Sequence, residues 1–280
     1  MGVGIVTSSI SCLPSDLATR YGIKVVPVPF TLNGRSLLDG VDISATEVYE
    51  QLAYELPFRT SAPSPGDFIK AYYEVLSGSK NIICLTVSSK ISMMYDSAWD
   101  AAKQMPANIN VRVIDTGTAA GAQALIDMEA ARAASAGATL DEVTKLIEDL
   151  KDKVFLYGVI VAPKYLARTG RVPSPLPAAA SALNIKPVFT IGHGKVKLIG
   201  LVRTEKSGMD RMFSAMRAKA GEKRIHAIIQ HVNAPEHAES LRQRVQNEFN
   251  CAELLITEFS PIIGFATGPG CLALAFRTQD

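Results

Sequence analysis

Hydroxyl side chains gather where apolar, strand-like runs end. Thr7, Ser8 and Ser9 close the first run. Thr60 and Ser61 stand just before a helix start at Pro65. Ser88, Ser89 and Ser92 follow the run at 82–87, and Asp115-Thr116-Gly117-Thr118 ends the run at 111–115. In open parallel sheets, ligands bind off the carboxyl ends of the strands. Helix N-termini there offer unpaired N–H groups and a positive dipole, which favour an anion. Any one of these hydroxyls is explained by helix capping alone, but several clusters together favour an anionic head group. Two arginines could add a forked contact to a carboxylate or phosphate: Arg171 in RTGRVPSP and Arg203 in GLVRTEK. Each reads equally well as an ordinary surface charge. Near the C-terminus, SPIIGFATGPGCLALAF reads as a Thr-Gly-Pro-Gly turn between two strand-like runs. Such a turn either reverses the chain or holds a ligand against backbone N–H groups.

Other chemistries lack their residues. Neither GxGxxG nor the phosphate-loop pattern GxxxxGK[ST] occurs at a strand-to-helix turn, and the GxSxG elbow is missing. The four histidines, His193, His226, His231 and His237, have no metal-site spacing and read as structural or solvated. The four cysteines form no CxxC pair and sit mostly in apolar runs, as in a reduced, cytoplasmic protein. A net charge of +2 argues against a nucleic-acid partner, and no apolar run reaches bilayer-spanning length, so no stable membrane insertion is expected. The opening MGVGIVTSSIS lacks the basic start and long apolar stretch of a signal peptide.

The elements that must position the hydroxyls alternate between strands and helices. Strands are expected at 3–7, 82–87, 111–115 and 154–162, with an extended segment at 24–30, where two prolines disfavour helix. Ser44 with Glu47, Ser64 with Pro65 and Asp67, and Thr139 with Glu142 mark helix starts. An Ala-rich helix is expected over about 118–134. From Pro163 to Pro187 the texture turns proline-rich, the best place for a crossover between domains 1–162 and 163–280. Beyond it come a hairpin turning at 192–195, helices over 206–219 and 235–249, and strands around them. This is an α/β chain of βαβ units with a largely parallel sheet.

In order along nearly the whole chain, IVTSSISCLP, YGIKVVPVPF, NGRSLLDGVDIS, TSAPSPGDF, LTVSSKISMMYDSA, VIDTGTAAGAQ, LARTGRV, LNIKPVFTI, LVRT and TGPGCLALAF resemble the motifs of the DegV family of bacterial fatty-acid-binding proteins. TSAPSPGDF is the most diagnostic. The resemblance implies a two-domain fold, an N-terminal three-layer α/β/α domain with a parallel sheet and a C-terminal α/β domain with a mixed sheet, with the ligand between them. It implies a long-chain fatty acid such as palmitate, stearate or oleate in an apolar tunnel, no cofactor, and presentation of the carboxylate to a separate fatty acid kinase. By position, Thr60, Ser61 and Ser92 would hold the carboxylate. Ser8, Ser88, Ser89, Met93, Ala266, Thr267 and Gly268 would lie near the head group, and Arg171 and Arg203 near the head group or the kinase. The chain departs from the family pattern at Ser8 (aspartate), at Met93-Met94 (Gly-Thr) and at Ala266 (histidine). Two other readings stay open: an enzyme for a small phosphorylated or carboxylated substrate, and a binding module for another amphiphile.

Overall fold

The computed structural model describes residues 2–51, 57–76, 80–169 and 185–279. Its first sheet is built from β1 (Val3–Ser8), β2 (Ile23–Val26), β6 (Asn81–Thr86) and β7 (Asn110–Asp115), all parallel, in the order β2-β1-β6-β7. Between β2 and β6 in sequence, β3 (Pro29–Leu32), β4 (Arg35–Leu38) and β5 (Phe58–Thr60) form a small antiparallel sheet. Asn33-Gly34, both at positive φ, make its hairpin turn. The second large sheet runs β10-β9-β8-β13-β11-β12, from β8 (Val154–Val159), β9 (Lys186–Gly192), β10 (Lys195–Val202), β11 (Arg224–His231), β12 (Cys251–Glu258) and β13 (Leu272–Gln279). Among the described residues only β11 and β12 pair in parallel there. The sheet is therefore mixed, as the family resemblance implies for the C-terminal half, and the largely parallel sheet expected from the strand–helix alternation is found in the first sheet. The expected division at 162/163 follows β8, which is hydrogen-bonded to β13 and β9.

Helices Pro65–Glu74 and Met94–Lys103 cover the outer face of the parallel sheet, and Glu205–Ala220 and Pro235–Glu248 cover the outer face of the mixed one. Between the sheets lies Ala120–Ser135, buried on nearly every side. A helix with no solvated face has no polar stripe, which is why its sequence, AGAQALIDMEAARAAS, is dominated by alanine. The close approach is tightest at Gly121, where a Cβ would stand 2.9 Å from Gln230 Oε1 and 3.0 Å from Ala275 Cβ. The Gly121 N–H donates to that Gln230 oxygen at 2.6 Å. Toward the parallel sheet, Thr7 donates to Asp127 at 2.8 Å and Gln123 donates to Thr7 at 3.0 Å.

All three capping pairs form as the sequence indicates, with Ser44, Ser64 and Thr139 each accepting from the backbone of an acidic residue three positions on. The run Pro261–Thr267 is a helix, not the expected strand. Ser260 at its N-cap and Pro261 at its first position start it. Gly268, at φ 77, ends it beneath Tyr165, where a Cβ would lie 2.4 Å from Tyr165 Cδ2.

Two buried carboxyls give the fold a pH dependence. Burial pushes Asp127 up to about 8 and Asp39 up to about 6, while hydrogen bonds from Thr7 and Ser9 pull them down. Both lie above the unfolded value of about 3.9, so the native state holds the protons more tightly. Their contribution is complete below about pH 4 and is lost as pH rises through the native values. Urea unfolding at about pH 5 and about pH 9 should show stability falling with pH, and the fall should shrink in Asp127→Asn, which keeps an acceptor for Thr7. An unchanged fall in the variant would show that Asp127 is not its source.

Candidate functional site

A cavity of about 510 Å³ opens between the two sheets. Its walls come from several elements. Ala119 and Ala120 contribute the start of the central helix, and Ile262, Ile263, Ala266 and Thr267 come from the Pro261–Thr267 helix. Phe189, Ile191, Val196 and Leu198 are the inward residues of the β9–β10 hairpin, and Leu156 and Ile160 come from β8. Phe259, Ile10 and Val28 close the far side. No charged side chain lines it among the described residues.

Side-chain hydroxyls enter on three segments. Thr60 is the last residue of β5, and Ser61 follows it. Ser92 precedes the Met94–Lys103 helix. The Ser92 oxygen accepts the Met94 N–H at 3.3 Å, so the hydroxyl proton remains available to another acceptor. The Thr267 hydroxyl is already committed to the carbonyl of Ile263 at 2.9 Å. An uncharged donor set in an apolar cavity can orient an anionic or polar head without a buried countercharge. Among the described residues that line the cavity, no nucleophile stands beside a base.

The structure thus brings Thr60, Ser61, Ser92, Ala266 and Thr267 to one cavity and places the other candidates elsewhere. Ser8 is buried beneath the outer helices, and its hydroxyl has no partner among the described residues. Ser89 donates to Asp115 at 2.6 Å on the surface. Met93 is 71% exposed and points away, whereas its neighbour Met94 is buried and lines the cavity. Gly268 lies under Tyr165. Arg203 is exposed beyond the end of β10 and does not line the cavity. Arg171 lies outside the described residues.

Ser88 has a different task. Its hydroxyl donates to the carbonyl of Gly194 in the β9–β10 turn at 3.2 Å. The Gly194 N–H donates to Gly117 at 2.8 Å, and Lys90 Nζ donates to the carbonyl of His193 at 3.0 Å. These bonds fasten the tip of the hairpin that forms one cavity wall. The sequence contained the serine and the turn, but nothing in it signalled that they meet across about a hundred residues.

Residues 2–279 match the family described as "Uncharacterised protein, DegV family". The chain belongs to the DegV family. A DegV domain-containing protein of Streptomyces coelicolor is 32% identical over 279 residues, covering 99% of each chain. One from Clostridium perfringens is 28% identical and covers the whole of both. Among solved structures, a DegV family protein from Thermus thermophilus, described for its fatty acid binding, superposes with a TM-score of 0.92 at 31% identity, over 100% of both chains. A Eubacterium eligens DegV family protein loaded with heptadecanoic acid superposes at 0.87 and 19% identity, covering 99% of this chain and 100% of that one. The two-sheet architecture with its central helix is therefore the DegV fold.

The fastening of the hairpin can be checked directly. Ser88→Ala removes one neutral hydrogen bond, worth about 1 kcal/mol net. Hydrogen exchange of the Gly194 amide should speed up by about fivefold, with little change in the central helix. Equal exchange in the two proteins would show that the Ser88 contact does not hold the turn.

Proposed function

We propose that this DegV-family protein binds a long-chain fatty acid, with its acyl chain in the 510 Å³ cavity. The carboxylate is held at the end formed by Thr60, Ser61 and Ser92. The observation that carries this reading is the composition of one cavity: predominantly apolar walls, no charge among the described lining residues, and a few hydroxyls. The volume falls within the range of about 300–1,000 Å³ typical of small-ligand sites. Each methylene removed from water contributes about 0.8 kcal/mol, so a chain of the length of palmitate, stearate or oleate supplies ample affinity. The fatty acid binding described for the Thermus thermophilus relative, at 31% identity, supports the same assignment.

The head group leans on neutral donors, because Ala266 brings no imidazole to the cavity. We read the protein as a carrier without catalytic chemistry of its own, working in the cytoplasm and needing no cofactor. In this reading it presents its carboxylate to a separate fatty acid kinase, and Arg203 belongs to the surface that meets the kinase.

Organic extraction of the purified protein followed by mass spectrometry should recover a fatty acid. Recovery of none, together with no uptake of added palmitate or oleate, would overturn the proposal. Thr60→Val should weaken fatty acid binding by about 1.5–3 kcal/mol, the worth of a hydrogen bond to a charged group, without unfolding the protein. Unchanged affinity would place the carboxylate at another loop.

A further inference from the structure

The cavity uses one face of β8, β9 and β10. Their other face carries a second concavity of about 500 Å³, bounded by helix Glu205–Ala220. Side chains alternate between the two faces of a strand. Leu156, Phe189 and Leu198 turn to the first cavity, and Tyr157, Thr190 and Lys197 to the second. The strand register sets Tyr157 opposite Thr190 and Thr190 opposite Lys197. A phenol, a hydroxyl and an ammonium therefore stand in one row across three strands.

Tyr157 is only 6% exposed, yet its hydroxyl has no hydrogen-bond partner among the described residues. Neither has the hydroxyl of Thr190. Two more cations come from the helix. Arg211 donates its Nε–H to the carbonyl of Ile199 at 3.0 Å, which leaves its terminal nitrogens free, and Lys219 Nζ lies 5.4 Å from the centre of the Phe155 ring. Among the described residues Lys197, Arg211 and Lys219 form no ion pair. Lys151 also lines the concavity but is paired with Glu148 at 2.8 Å, and Asp152 is the one acid in the lining.

The Tyr157 ring is packed against the sheet and its O–H opens into the concavity, where the proton is available to an acceptor. The row and the helix together present donors and positive charge from several directions. That arrangement exceeds what the two oxygens of a carboxylate can take up and suits a tetrahedral oxyanion with three terminal oxygens. Beside it, Phe155, Ile199, Ala215 and Ala218 leave an apolar wall for an organic substituent. We propose that this concavity binds a small organic phosphate through Tyr157, Thr190, Lys197, Arg211 and Lys219. The site does not depend on the fatty acid reading, since the two ligands would lie on opposite faces of the sheet.

Phenyl phosphate titrated into the intact protein by calorimetry should bind saturably, one per chain, and more weakly as salt rises. Tyr157→Phe removes one oxygen and should weaken binding about tenfold or more. Lys197→Ala changes an exposed residue, and should weaken binding and flatten its salt dependence. A parallel arm measures binding to phosphatidic acid vesicles. Vesicle binding that Tyr157→Phe abolishes, without binding of phenyl phosphate, would assign the phosphate to a lipid head group at the same residues. No saturable binding of either probe, or equal affinity in the wild type and both variants, would overturn the proposal.

Discussion

The central constraint is that one helix, Ala120–Ser135, is shared by two sheets. Because sheets press on it from both sides, it can carry neither a solvated stripe nor bulky side chains at its closest contacts. Gly121 against Gln230 and Ala275 sets the approach on one side, and Thr7 with Asp127 and Gln123 sets it on the other. Polar groups in such a place are stabilised by pairing with one another, and the short chain from Gln123 through Thr7 to Asp127 pairs an amide, a hydroxyl and a carboxyl, while Gln123 Oε1 and Asp127 Oδ1 have no partner among the described residues. The same helix begins at the cavity wall with Ala119 and Ala120, and Ala120 holds a left-handed φ of 53°. The spacing between the sheets and the shape of the ligand space thus rest on a single packed element.

The cavity depends on that spacing and on a hairpin fixed from outside its own sheet. β9 and β10 belong to the mixed sheet, but their turn is fastened to loops that follow β6 and β7 of the parallel one. The bonds involved are few and individually modest. A wall held this way can be stable on average and still open locally at small cost, which would suit the proposed entry of an acyl chain.

Much of the architecture was legible in the sequence because it is written locally. Capping boxes at Ser44, Ser64 and Thr139, apolar runs of strand length and the glycine-containing turn at 192–195 each appear where nearest-neighbour rules put them. The small sheet of β3, β4 and β5 had a local signal too, Asn33-Gly34, which the strand-and-helix alternation overshadowed. The apolar content of Pro261–Thr267 suggests a strand, although Ser260-Pro261 and Gly268 carry the marks of helix ends. The site was legible in part. Thr60, Ser61 and Ser92 reach one cavity, but the pattern of residues could not say that Met94 turns inward and Met93 outward. Nor could it show that Ser88 serves a turn in the other sheet. Those facts arise from packing between distant segments, which leaves no periodic trace.

Within the outer edge of the mixed sheet, β10 follows strict alternation until its pairing with β9 shifts between Leu198 and Gly200. Up to that irregularity, odd and even positions serve two different compartments: Val196 and Leu198 face an oily space, and Lys197 a charged one. An exchange of one residue for another there alters one compartment and leaves its neighbour intact. Loss or gain of a single residue ahead of the irregularity would swap the two sets, carrying an ammonium into the oil and a leucine among the cations. Along this stretch a substitution acts on one compartment at a time, whereas a change of length acts on both.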